Sequence, residues 1–165
     1  YAGFVYDVMA DVLYHAKVGE GAYRGSQPLK PLNDSNLRQS IIGINPNWLT
    51  KPVLGEIFKD VVNISRSARA YGSAALEIVS VATGNLEAYM TPRLQPWDFA
   101  GGLVILNELD GQASNLLGEP LTIGGPNSVL VGNRGVHREI LDVYLEPHRD
   151  ALIQLHEQRF KRKSK

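Results

Sequence analysis

The chain has 165 residues, formal net charge +0, 44% apolar and 21% charged residues, and no cysteine. That is enough for one domain with a sizeable core, and it excludes a disulfide framework and thiolate metal or nucleophile chemistry. No apolar run approaches the ~18 residues of a membrane span, no signal peptide is visible, and near-neutral charge argues against a dedicated nucleic-acid surface, so a cytoplasmic protein is expected.

The chain opens on YAGFVYDV, which reads as a strand already under way, as in a processed chain or a piece of a larger protein. Residues 2–6 and 12–16 carry valine and tyrosine at strand-like positions and predict an antiparallel hairpin closed by DVMAD. GEGAYRGSQPL adds a short strand between glycines, with a turn near Gly25 and Ser26. A polar loop then leads into a strand at residues 40–44, ended by Pro46. KPVLGEIFKDVV predicts a helix beginning near Lys51 and Pro52.

From Ser73 onward, Ala75, Leu76, Ile78, Val79 and Ala82 follow helical spacing, with Ser73 as the cap and Gly84 as the stop. NLEAYM resumes as a strand. In LQPWDFAGGLVILNELDGQ, Asp98 is placed at the N-cap of a helix that carries Phe99, Gly102, Leu103 and Leu106 on its face and exits at Gly111. Loop with short strand pieces follows, then the apolar strand SVLVGN, the helix RGVHREILDVYL, a redirection at Pro147 and a last helix, HRDALIQLHEQRF. Strands alternating with helices, without repeat or internal linker, indicate a layered α/β or α+β domain over residues 1–165. The tail QRFKRKSK gathers Arg159, Lys161, Arg162, Lys163 and Lys165; such a run either meets phosphate or acidic surface or closes a solvated helix end.

Asp98 has two readings. As an N-cap it accepts first-turn amides. As a ligand it offers a hard oxygen to a divalent cation such as Mg²⁺. Trp97 is expected to bury on one side and aim the carboxylate. Ala100, Gly101 and Gly102 would leave room for another helix, a ligand or a phosphate. Further carboxylates, Glu77, Glu87, Glu108 and Asp110, show no ligand spacing. The stretch YGSAA places Gly72 and Ser73 at a helix start, where they either bind an anion or hydroxyl or merely cap and pack. Arg66 and Arg69 precede it. His15, His137, His148 and His156 have no ligand spacing, and GEGA and GNRG do not match a phosphate loop.

Four stretches together, GFVYDVMADVLYHAKVGEGAYRGSQPL, RAYGSAALEIVSVATGNLEAYM, PWDFAGGLVILNELDGQ and VLVGNRGVHREIL, resemble the C-terminal half of the inositol monophosphatase family. These are Mg²⁺-dependent, lithium-sensitive phosphatases related to fructose-1,6-bisphosphatase, and the resemblance covers nearly the whole chain. It implies the family's αβαβα fold, a mixed sheet flanked by helices, and a homodimer that hydrolyses a small-molecule phosphate ester. It also implies that Asp98 of the Trp-Asp motif is a catalytic metal ligand for Mg²⁺. Gly72, Ser73 and Ala74 match the segment that contacts the substrate alcohol. Arg69 matches the arginine ahead of it, with a structural role. The glutamate by which many animal members hold inositol hydroxyls falls on Thr91, which implies a broader sugar- or nucleotide-phosphate preference. The family's Asp-Pro-x-Asp-Gly-Thr motif and its first metal-binding glutamate do not occur in these residues. The missing N-terminal half is therefore the implied partner, and the chain alone is expected to be inactive. A stand-alone binding domain, with Asp98 reduced to a cap, is the alternative.

Overall fold

The computed structural model describes the backbone of residues 1–160 and side chains through Gln158. The basic tail therefore lies outside the described residues. Four strands, β1 (Ala2–Asp7), β2 (Val12–Lys17), β3 (Ala22–Arg24) and β4 (Gln27–Pro28), form an antiparallel sheet in chain order. The predicted hairpin is present, with Val5 opposite Tyr14. Asp7 closes its turn by accepting the Met9 and Ala10 amides, each at 3.1 Å. Alternation along the strands sends Gly3, Val5, Ala16 and Ala22 inward and leaves Phe4 and Tyr6 exposed.

The second sheet contains β5 (Ile41–Gly43), β6 (Ser67–Arg69), β7 (Ala88–Leu94), β8 (Gln112–Ser114) and β9 (Asn127–Gly132), in the order β6-β5-β7-β9-β8. It is mixed: β5 runs parallel to β6 and β7, and β9 runs antiparallel to β7 and β8. Helix α1 (Leu54–Ile64) joins β5 to β6, α2 (Ala74–Ala82) joins β6 to β7, and α3 (Pro96–Asn107) follows β7. The chain closes with α4 (Arg134–Glu139) and α5 (Arg149–Phe160).

Two cores lie on opposite faces of the five-stranded sheet. Tyr89, Val129 and Val131 face α2 and α3, which Val5, Ala16 and Ala22 cover from the hairpin sheet. Their neighbours Ala88, Met90 and Leu130 face the other way, onto α1, α4 and α5 through Phe58, Val136 and Leu152, with Ile140 just beyond α4. The period of two along β7 and β9 thus builds a stack of sheet, helix pair, sheet and helices.

Helix α3 is wedged between β1 and α2, and its glycines have a packing role. A Cβ on Gly101 would lie 2.8 Å from the Phe4 main-chain oxygen, and one on Gly102 would lie 2.8 Å from Ile78 Cγ2 in α2. The space that the sequence left open to a ligand or phosphate is filled by β1 on one side and α2 on the other.

Several local expectations change. The helix predicted from Lys51 and Pro52 starts at Leu54, because Asn45 caps a separate 3-10 turn, Pro46–Thr50, with Pro46 in its first position. Strand β6 is three residues without an apolar run, and it is defined only by its pairing to β5. Strand β7 continues past Met90 to Leu94, and a register shift between Thr91 and Leu94 accommodates Pro92, which cannot donate to a ladder. After α4 the chain winds through a π-helical stretch, Ile140–Leu145, and a 3-10 turn, Glu146–His148, that holds Pro147.

His137 is a core residue, away from the cleft. It is buried in α4, and its Nε2 pairs with Ser114 Oγ at 3.0 Å. Burial, opposed by the charge of Asp142, lowers its pKa to about 4. The unfolded chain therefore binds this proton more readily than the folded one below the ordinary value of 6.5. Stability from this site is full above that value and is lost as pH falls towards 4. Thermal melts from pH 7.5 to 4.5 will show a falling midpoint, and replacing His137 by glutamine will flatten that part of the profile; an unchanged slope in the variant would remove His137 as the cause.

Candidate functional site

Parallel strands present their carboxyl ends as a ligand crevice, because the following loops and helix starts converge there. Here β5, β6 and β7 end on one side of the sheet, and α2 and α3 begin beside them. A cleft of ≈ 300 Å³ lies at that edge, lined by Asn45 and Trp48 after β5, Ala70, Gly72, Ser73 and Ala74 around the turn after β6, Thr91 and Leu94 of β7, and Asp98 of α3. Its floor holds Glu77 and Tyr89.

Each lining group is placed by local chemistry. Ser73 caps α2, its hydroxyl accepting the Leu76 amide at 3.4 Å. Gly72 precedes it at φ 79°, a left-handed conformation that glycine adopts without a Cβ penalty. The Glu77 side chain turns back from α2 so that Oε1 accepts the Tyr71 main-chain N–H at 2.7 Å. Burial pushes the Glu77 carboxyl up, and the Tyr71 and Gly72 amides pull it partly down. Thr91 is buried on β7 at the point where the strand changes register. Tyr89 is pushed up to about 12 by burial and then by the negative charge of Glu77, with a smaller push from Asp98 and an opposing hydrogen bond from Thr91. Its hydroxyl stays protonated at every physiological pH.

Asp98 is not the N-cap. Gln95 holds that position, Pro96 is the first helical residue, and Asp98 stands at the third. Proline pre-sets the helical φ and needs no partner for its missing N–H, so the helix starts earlier than the aspartate suggests. Asp98 Oδ2 reaches back to accept the Gln95 main-chain N–H at 2.8 Å, the carboxylate half of a capping box. That bond fixes the side chain and leaves Oδ1 for the cleft. Trp97 is also misplaced by the sequence: it is 78% exposed, and Phe99, at 0%, anchors the helix instead. The exit turn is likewise taken by Asp110, at φ 61°, in place of Gly111.

The structure brings Gly72, Ser73, Ala74, Thr91 and Asp98 to one cleft, from three segments of the chain. Of the other carboxylates only Glu77 joins them. Glu87 accepts the Ile41 amide inside the sheet. Glu108 takes the Gly19 and Gly21 amides, each at 2.9 Å, and is held below the usual glutamate range by them. Arg69 donates to Ser67 Oγ and the Ala68 carbonyl, an arrangement internal to β6. Asn45 and Trp48 line the cleft without having been singled out in the sequence; the Asn45-Pro46 cap signal locates their turn but not its direction.

A hard cation fits this cleft at Asp98 alone. Among the described residues no three histidines, aspartates or glutamates come together as a metal centre. Glu77 lines the cleft floor, but its Oε1 is taken by the Tyr71 amide and its Oε2 is buried. The chain thus offers one wall of a cation site. No helix among the described residues is long and apolar enough to cross a membrane.

Known proteins share this sequence and arrangement. The inositol-1-monophosphatase of Bacillus subtilis (strain 168) is 43% identical over 145 residues, covering 87% of this chain and 55% of that protein. The crystal structure of SaIMPase-II with inositol monophosphate bound is 91% identical, with a TM-score of 0.96, over 97% of this chain and 63% of that one. The structure of SaIMPase-II with 2′-AMP bound is equally similar, at 91% identity and TM-score 0.96, over 97% of this chain and 62% of that one. The chain spans about half the length of the curated relatives it matches. The inositol monophosphatase family's sequence pattern covers residues 1–150, and with that extent, the shared mixed sheet flanked by helices and this identity, the chain belongs to the inositol monophosphatase family.

Proposed function

We propose that this chain is the C-terminal portion of a Mg²⁺-dependent phosphomonoesterase and supplies one wall of its active cleft. The observation that carries the reading is the convergence of Asp98 with Gly72, Ser73 and Ala74 at the carboxyl ends of three parallel strands. Asp98 holds the cation, with Oδ2 steadied by the Gln95 amide. Bound there, Mg²⁺ would supply Lewis-acid polarisation of a phosphate ester and activate water for attack. The Gly72–Ala74 turn faces the alcohol portion of the substrate, with the exposed peptide of Gly72 and the Ser73 hydroxyl as hydrogen-bonding groups. Tyr89 remains a neutral donor beside them.

Thr91 has no carboxylate to accept polyol hydroxyls, so the alcohol is held with little discrimination. Inositol, sugar and nucleotide monophosphates are all candidate substrates, in keeping with the two ligands bound to SaIMPase-II. The remaining cation ligands come from the N-terminal half, and the working unit is a homodimer.

Phosphate release tests this directly. The full-length protein with Mg²⁺ will hydrolyse inositol monophosphate and 2′-AMP, lose activity in chelator and regain it on adding Mg²⁺. Residues 1–165 alone will release no phosphate above the uncatalysed rate. Full-length activity that survives exhaustive chelation would overturn the metal role, and turnover by residues 1–165 alone would overturn the divided site.

A further inference from the structure

Glu77 is the one buried charged side chain on the helix pair between the two sheets, and it is 3% exposed. Its neighbours in α2, Ile78, Val79 and Val81, are core residues. No cation pairs with it among the described residues. Oε1 accepts the Tyr71 amide at 2.7 Å, and Oε2 is buried without a hydrogen-bond partner. A carboxylate in such a position is costly to bury, and its burial raises its pKa accordingly. An apolar residue would serve the core better.

The surroundings are shaped to the carboxylate. Gly43 of β5 faces it, and a Cβ there would lie 2.5 Å from Glu77 Oε2 and 3.0 Å from Tyr89 Cδ2. The turn that Glu77 grips has little else to hold it: Tyr71 and Gly72 are exposed, and a Cβ on Gly72 would meet nothing within 4 Å.

We propose that Glu77 is a positioning residue: by accepting the Tyr71 main-chain N–H, it fixes Gly72, Ser73 and Ala74 against the cleft and sets how the substrate alcohol is held. This rests on the phosphomonoesterase function proposed above. Glu77 touches neither substrate nor metal. It acts through the turn, so its removal weakens binding of a hydroxylated alcohol more than it slows phosphoryl transfer.

The test uses the full-length protein at saturating Mg²⁺, with inositol monophosphate and p-nitrophenyl phosphate, whose leaving group carries no other hydroxyl for the turn. Glu77→Ala is expected to raise KM for inositol monophosphate about 10-fold, with kcat and the p-nitrophenyl phosphate parameters within about 3-fold. Glu77→Gln keeps an oxygen acceptor and is expected to restore KM to within about 3-fold of wild type. Gly43→Ala displaces the carboxylate without deleting it and is expected to raise KM in the same selective way, so the proposal stays testable if Glu77→Ala folds poorly. Equal losses on both substrates, or an unchanged KM for inositol monophosphate, would overturn it. Amide exchange at Tyr71 provides a readout independent of turnover: protection is expected to fall in Glu77→Ala and persist in Glu77→Gln, and unchanged protection in Glu77→Ala would overturn the proposal. If the wild-type protein hydrolyses neither substrate, the phosphatase function fails alone, and the Tyr71 exchange still decides the role of Glu77.

Discussion

Replacing Asp98 by asparagine in the full-length protein will lower kcat/KM for inositol monophosphate by roughly 10²–10³-fold while the fold persists. The helix-start role seen in the structure and the proposed ligand role separate in that substitution. As a helix-start acceptor, Asp98 needs only an oxygen for the Gln95 amide, now at 2.8 Å. Asparagine supplies one, so the stability loss should stay within about 1 kcal/mol. As a cation ligand, Asp98 needs charge, and the amide has none. The expected signature is a much weakened Mg²⁺ dependence with a nearly unchanged melting temperature. Alanine at the same position would lose both roles and melt earlier. If asparagine retained wild-type turnover and Mg²⁺ affinity, the carboxylate would be a cap only.

The second large effect is on stability. Gly3→Ala is expected to destabilise the protein by about 3 kcal/mol, in the upper range for overpacking. An added Cβ would overlap the Gly101 main-chain oxygen and lie 2.7 Å from Val104 Cβ. Neither a backbone oxygen nor a Cβ can rotate away. Gly102→Ala is the contrasting case. Its Cβ would meet side-chain rather than main-chain atoms, Ile78 Cγ2 at 2.8 Å and Ile78 Cβ at 3.2 Å. The helix gains up to about 1 kcal/mol from replacing an interior glycine by alanine, which offsets much of the crowding. Urea melts of the two variants should therefore differ by about 2 kcal/mol or more. Equal effects would mean that the β1–α3 contact yields as easily as the α3–α2 contact.

What the sequence revealed depended on whether a signal was local. Strand β9 was legible because both of its faces are covered, so Val129, Leu130 and Val131 form a short continuous apolar run. Ser73 and Gly84 marked α2 correctly, since cap and stop sit next to the periodic run they bound. Asp98 was misplaced by three positions because an aspartate before an apolar run resembles a cap more than Gln95 does; the proline at the first helical position was the better signal. Trp97 was assigned inward on size alone, although its place on the helix surface points it to solvent. Strand β6 was invisible, because three residues, Ser67 to Arg69, gain their identity only by lying beside β5. The cleft was legible only in part. Family resemblance named Gly72, Ser73, Ala74, Thr91 and Asp98 as site residues, and the structure gathers them, while their roles await the experiments above. Asn45, Trp48 and the inward turn of Glu77 arise from tertiary geometry that no local pattern encodes.

The contact between Gly3 and Gly101 also bears on motion. Helix α3 is pinned to the hairpin sheet at its middle by that backbone contact and at its far end by Glu108, which grips the Gly19 and Gly21 amides. Held at both points, α3 and the hairpin sheet brace each other, and Asp98 rides on the helix's first turn. That wall of the cleft serves as a fixed jaw that keeps the carboxylate in place, and the Glu77 grip on the Tyr71 amide clamps the wall opposite.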